Sequence, residues 1–196
     1  LQEDASDEQQ MAARDYWRTI ISKFPVSAAN ALQSDNLGNP DALLEACRPL
    51  LGLKEADPDA LPDSVHAWIK QTEPQAELTS KVRQCLHAEM NDLLHWTRDG
   101  IDNKWLHGAS YKAANLGRMG TALESFVRGV RPGKEELKIL KNFSSSGLKL
   151  NKAHQDKRPA LDSLILLDAY FDGLANNPLP RTDLLAHAAA WIDRRV

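Results

Sequence analysis

The chain has 196 residues, 42% hydrophobic and 26% charged, with a formal net charge of -3. That composition suits one globular domain with a sizeable core and excludes a globally disordered chain. No apolar run approaches the ~18 residues of a spanning helix, and no basic start leads into an apolar block, so neither a membrane span nor a signal peptide is expected.

The opening, residues 1–10, is rich in acids and amides (Gln2, Glu3, Asp4, Asp7, Glu8) and reads as a solvated segment ahead of a single helical domain over 11–196. Trp17, Ile20, Ile21 and Phe24 recur at i, i+3, i+4 and i+7, the stripe of an amphipathic helix that Pro25 ends. Val26–Gln33 is a short helix, Asn36–Asn39 a turn, and Asn39 before Pro40 a helix start. An Asn cap accepts orphan amides there, and Pro suits the first helical position. Leu43, Leu44, Cys47, Leu50 and Leu51 supply the buried face of that helix, with Pro49 bending or ending it. Ala56–Pro62 is a loop, and Val65, Trp68 and Ile69 mark a further short helix.

Pro74 opens the longest periodic stretch. Leu78, Val82, Cys85, Leu86, Met90, Leu93, Leu94 and Trp96 follow one another by threes and fours until Asp99-Gly100. A second long helix is expected over Ser110–Val130. Gly117 and Gly120 lie one turn apart on it, which suggests close helix–helix approach. Pro132-Gly133 restarts a helix with Leu137, Leu140 and Phe143 inward, and Ser144-Ser145-Ser146-Gly147 is the most flexible spot by composition. Pro159 begins an apolar helix closed by Asn176-Asn177-Pro178, and Thr182 caps a last one. No period-two alternation marks a strand. The fold expected is all-α, a bundle of about seven to eight helices around a long central pair.

The charge is unevenly placed. Residues 1–100 carry 17 acids and 9 bases, residues 101–196 carry 10 acids and 15 bases. Within 128–158 nine bases (Arg128, Arg131, Lys134, Lys138, Lys141, Lys149, Lys152, Lys157 and Arg158) face three acids, Glu135, Glu136 and Asp156. Such a surface binds polyanions by counterion release, and serine hydroxyls and loop amides add phosphate contacts. A non-catalytic interaction module is therefore expected, with nucleic acid favoured as partner and an acidic protein the alternative. A third reading is an adaptor whose five tryptophans complete their burial against another chain, with Trp105 as an interface anchor.

Cys47 and Cys85 are the only cysteines. Set among apolar neighbours with no CxxC partner, they read as free buried thiols, which leans towards a reducing, cytoplasmic setting. The histidines show no zinc-ligand spacing. Lys104-Trp105-Leu106-His107 resembles a fragment of chemoreceptor zinc-binding domains, but Asn103 stands where a cysteine precedes that tryptophan. No P-loop, GxSxG or Rossmann pattern supports a cofactor.

The stretch Leu148-Lys149-Leu150-Asn151-Lys152-Ala153-His154, followed by Lys157-Arg158-Pro159-Ala160-Leu161-Asp162-Ser163, resembles a segment of helix-hairpin-helix DNA glycosylases. There a lysine-bearing helix leads into a Pro-x-x-Asp-Ser turn. The resemblance implies an enzyme acting on nucleic acid, with Lys149 or Lys152 as amine nucleophile and Asp162 as acid/base partner. It covers residues 148–163, and the glycine hairpin of that family is not met. The plainer reading makes Asp162 an N-terminal helix residue, favourable with the helix dipole.

Overall fold

The computed structural model describes residues 2–53 and 56–196. It is 71% helical, with eight α-helices and no strand among the described residues. These are α1 (Gln2–Thr19), α2 (Val26–Ser34), α3 (Pro40–Cys47), α4 (Asp63–Asp102), α5 (Leu116–Val127), α6 (Lys134–Asn142), α7 (Asp162–Asn176) and α8 (Arg181–Asp193). The chain divides into two compact units. One comprises residues 1–76 and 177–196, the other residues 77–176.

In the first unit α1 begins at Gln2, so the acidic opening is part of a helix. Ala, Gln, Glu and Met are good helix formers, and the segment up to Ala13 is rich in them. Beyond Thr19 the expected stripe tightens into a 3-10 turn over Ile21–Lys23, with Ile21 buried. The buried face of α1 is Ala12, Ala13 and Tyr16. Asn39 Oδ1 accepts the Ala42 amide at 2.8 Å with Pro40 behind it, as its sequence implies. Thr182 does not cap α8, which starts at Arg181 after Pro180 without a side-chain cap.

That core gathers Tyr16, Leu32, Leu43, Val65, Trp68 and Trp191. Tyr16 Oη and His187 Nδ1, both buried, lie 2.9 Å apart and satisfy each other. Burial holds the His187 imidazole below the ordinary histidine range. It also pushes the Cys47 thiol up to about 12, against a small opposing pull from Arg181.

Pro74 does not open a helix. It sits inside α4, which starts at Asp63 and takes in the short helix expected at Val65–Ile69. Proline supplies no N–H, so the Lys70 carbonyl loses its helical donor, and the boundary between the units follows two residues later. The 63–76 part of α4 belongs to the first unit and the remainder to the second.

In the second unit Val82, Leu86 and Leu93 of α4 are fully buried against Met119, Leu123 and Phe126 of α5, Leu140 and Phe143 at the end of α6, and Leu164, Leu167 and Tyr170 of α7. The helix expected over Ser110–Val130 is shorter, because Ala113–Asn115 form a 3-10 turn before α5. A Cβ on Gly120 would rest 3.8 Å from Leu94, a real helix–helix contact. Gly117 faces open space, so the close approach holds for one glycine of the pair. Leu106 and Leu150 form an isolated antiparallel bridge.

Candidate polyanion interface

The serine-rich connection after α6 carries turn-forming residues, yet it is tied from three sides. Phe143 and Ser144 are buried. The Ser145 amide donates to the Leu164 carbonyl at 2.9 Å, and Gly147 N donates to Ser144 Oγ at 3.0 Å. Asp168, one of the few charged residues on the apolar helix α7, accepts the Ser146 amide at 2.9 and 3.1 Å and the Ser146 hydroxyl at 2.6 Å. Arg158 Nη1 donates to the Ser145 carbonyl at 2.5 Å. Gly147 fits only as glycine, because a Cβ there would lie 1.7 Å from the Lys141 carbonyl oxygen. The segment expected to be flexible is thus an ordered turn whose backbone N–H groups all find acceptors.

Burial pushes the Asp168 carboxyl up. Hydrogen bonds from Ser146 and Ser144 and the charge of Arg158 more than offset this and hold it below the ordinary carboxylate range.

All nine bases of the segment are exposed. Five interact with neighbouring groups, Arg131 among them through its charge near the Tyr170 hydroxyl. Arg128 lies 3.7 Å from Glu124, Lys138 2.6 Å from Glu135, and Lys157 3.5 Å from Asp156, while Arg158 holds the serine turn. Lys134, Lys141, Lys149 and Lys152 have no carboxylate partner among the described residues. Lys134, Lys138 and Lys141 follow one another at four and three residues along α6, whose inner side carries Leu137 and Leu140.

The remaining bases ride on a second connection. His107 N donates to the Lys149 carbonyl at 3.0 Å and Asn151 N to the Trp105 carbonyl at 2.7 Å, pinning the Lys149–Asn151 stretch beside Leu106. Asn151 Nδ2 reaches the Lys104 carbonyl at 2.6 Å. Lys152 then opens a 3-10 turn that ends at Lys157. The Lys157 ammonium stands 5.9 Å from the Trp105 ring centre, and its carbonyl accepts Trp96 Nε1 at 3.0 Å. Trp105 is accordingly half-buried under its own chain. Trp68 and Trp191 are buried, and Trp17 and Trp96 pack partly buried against their cores.

Asp162 is the first residue of α7. Its amide and that of Ser163 donate to the two carboxylate oxygens of Glu89, at 3.2 and 2.9 Å. Glu89, on α4, thereby caps α7 as a long-range N-cap. Burial raises the Glu89 carboxyl, and hydrogen bonds from Ser163, Asp162 and the Cys85 thiol bring it below its ordinary range. The pocket beside Asp162, about 250 Å³, is lined by Ser145, Arg158, Pro159 and Leu161 among others, and neither Lys149 nor Lys152 borders it. Lys149 meets Tyr111 only through its backbone, its amide 3.4 Å from the Tyr111 hydroxyl. Burial pushes that hydroxyl up to about 12.

Three groups escape a reading of the sequence. Asp168 leaves a faint signal as a lone acid following Leu164–Leu167. Glu89 leaves one only in its i, i+4 spacing from Cys85. Arg83, which lies over the Phe126 ring at 5.1 Å, leaves none.

Among the described residues no three His, Cys, Asp or Glu side chains converge as metal ligands, and no helix is long and apolar enough to cross a membrane. Compared with protein-family models, with curated proteins and with solved structures, the chain has no match.

Proposed function

We propose that this is a non-catalytic helical module that binds a polyanion, nucleic acid in the first instance, through the basic surface of residues 128–158. The observation that carries the reading is the state of the lysines. Lys134, Lys141, Lys149 and Lys152 are exposed without a carboxylate partner among the described residues, on backbone held by α6 and by the Leu106–Leu150 bridge. Ammonium groups so placed exchange counterions for phosphates without first breaking an internal ion pair. The backbone beneath them is already ordered, which lowers the entropic cost of binding.

The test is the fluorescence anisotropy of a labelled DNA duplex titrated with the protein across a salt series. If the four unpaired lysines each neutralise one phosphate, the log–log slope is about -0.9 per contact, close to -4 in all. The double variant Lys138→Glu, Lys141→Glu is expected to weaken binding at least tenfold, since it adds repulsion as well as removing contacts. Binding that ignores both salt and the double variant refutes the proposal.

A further inference from the structure

A groove of about 580 Å³ within the second unit is lined on one side by Ser80, Arg83, Gln84 and His87, which recur at i, i+3, i+4 and i+7 along α4. Its other wall includes Glu124 and Val127 of α5 and Arg128 just beyond its end. The volume lies in the ordinary range of small-ligand sites, roughly 300–1,000 Å³. Its charge is unusual in how Arg83 is placed. Arg83 is half-buried with its guanidinium over Phe126, its Nε is fully buried without a hydrogen-bond partner, and it has no ion pair among the described residues. Its Nη1 would lie 4.0 Å from a Cβ added at Gly129.

A cation withdrawn from water without a counter-charge is costly, and the ring face of Phe126 compensates only part of that cost. The other charges in the groove, Glu124 and Arg128, are 3.7 Å apart and largely neutralise each other. Arg83 is therefore the unbalanced charge of the cavity, with Ser80 and Gln84 as neighbouring donors and Val127 and Met90 as apolar wall.

We infer that the groove between α4 and α5 binds an amphipathic organic anion, its oxyanion end on the Arg83 guanidinium and its apolar part against Val127 and Met90. A guanidinium fork donates to a carboxylate or a phosphate ester equally well by geometry. The groove shares Arg128 with the edge of the surface proposed for polyanions, but the lysines tested there lie on α6 and do not line it.

The inference is tested by ¹⁵N-resolved NMR titration of the full chain with four probes: hexanoate, hexyl phosphate, hexanol and inorganic phosphate. At least one of the two amphipathic anions is expected to bind about tenfold or more tightly than hexanol and inorganic phosphate, with shifts centred on residues 80–90 and 124–129. Whether hexanoate or hexyl phosphate binds better identifies the anion class. Arg83→Met, which keeps an apolar stem against Phe126, is expected to retain the melting temperature and lower the affinity to that of hexanol. Arg83→Lys is expected to keep part of the affinity, because it keeps the charge without the fork.

Equal binding of hexanol, no binding of either amphipathic anion, or unchanged affinity in a folded Arg83→Met protein overturns the inference. The variant Lys138→Glu, Lys141→Glu is expected to leave these titrations unchanged, so failure of the groove and failure of the nucleic-acid reading are separable.

Discussion

Replacing Asp168 by Asn tests whether the serine turn is held by a charge or merely by shape. The carboxylate accepts the Ser146 amide at 2.9 and 3.1 Å and the Ser146 hydroxyl at 2.6 Å. Hydrogen bonds to a charged acceptor contribute about 1.5–3 kcal/mol each, and about half that when the acceptor is neutral. Asp168 is only half-buried, so the lower end applies to both. The amide of the replacement retains one acceptor oxygen and introduces donors that face the Ser146 N–H. The expected cost is therefore about 2 kcal/mol, felt locally.

Hydrogen exchange at the Ser146 amide reads this directly, since a loss of that size accelerates local opening roughly thirtyfold. The pH dependence supplies an independent check. The folded carboxyl is held below its unfolded value of 3.8, so its contribution is fully present above that value and is lost as pH falls through the folded one. The gap between wild type and variant should be flat from about pH 5 to 8 and close on acidification below about 3.8. An Asp168→Asn protein with wild-type protection at Ser146 refutes the assignment, as does a gap that widens on acidification.

Gly147→Ala is expected to be among the most damaging single changes in the second unit, costing about 3 kcal/mol or more, because its Cβ meets the Lys141 carbonyl oxygen at 1.7 Å and that atom belongs to backbone. Urea unfolding followed by far-ultraviolet circular dichroism measures it, and a wild-type midpoint contradicts it. With its thiol pushed up to about 12, Cys47 should resist alkylation at about pH 8 until denaturant is added, whereas half-buried Cys85 should label slowly in the native protein. Mass spectrometry of the labelled peptides decides this, and rapid native labelling of Cys47 would contradict it.

The helical class follows from spacing alone, since threes and fours recur through almost every segment and period-two alternation does not. The cap at Asn39-Pro40 is equally legible, because all its determinants lie within four residues. Proline misleads at position 74. A proline can start a helix or sit inside one, and only the continuous packing on either side distinguishes the two. The serine run misleads for another reason. Its composition permits flexibility, and the groups that remove it, Asp168 and Arg158, lie 22 residues beyond Ser146 and 13 beyond Ser145. Glu89 and Ser163 are separated by 74 positions. Local pattern predicts elements well where the satisfying groups are local, and it fails where a distant side chain completes the hydrogen bonding.

The charge asymmetry between the halves of the sequence becomes more specific in the fold. The unit of residues 1–76 and 177–196 has 15 acids against 9 bases, and that of residues 77–176 has 12 acids against 15 bases. The excess cation therefore belongs to one folded body, but its members are not equivalent. Arg158 ties down the serine turn, Lys157 stands over Trp105, and Lys138 pairs along its own helix. Substituting Arg158 should thus disturb structure as well as binding. Lys134, Lys141, Lys149 and Lys152 have no such duties, so their loss should appear in binding and its salt dependence while leaving stability nearly unchanged. That separation distinguishes a ligand-facing surface from a set of solvated charges that merely balance the acidic unit.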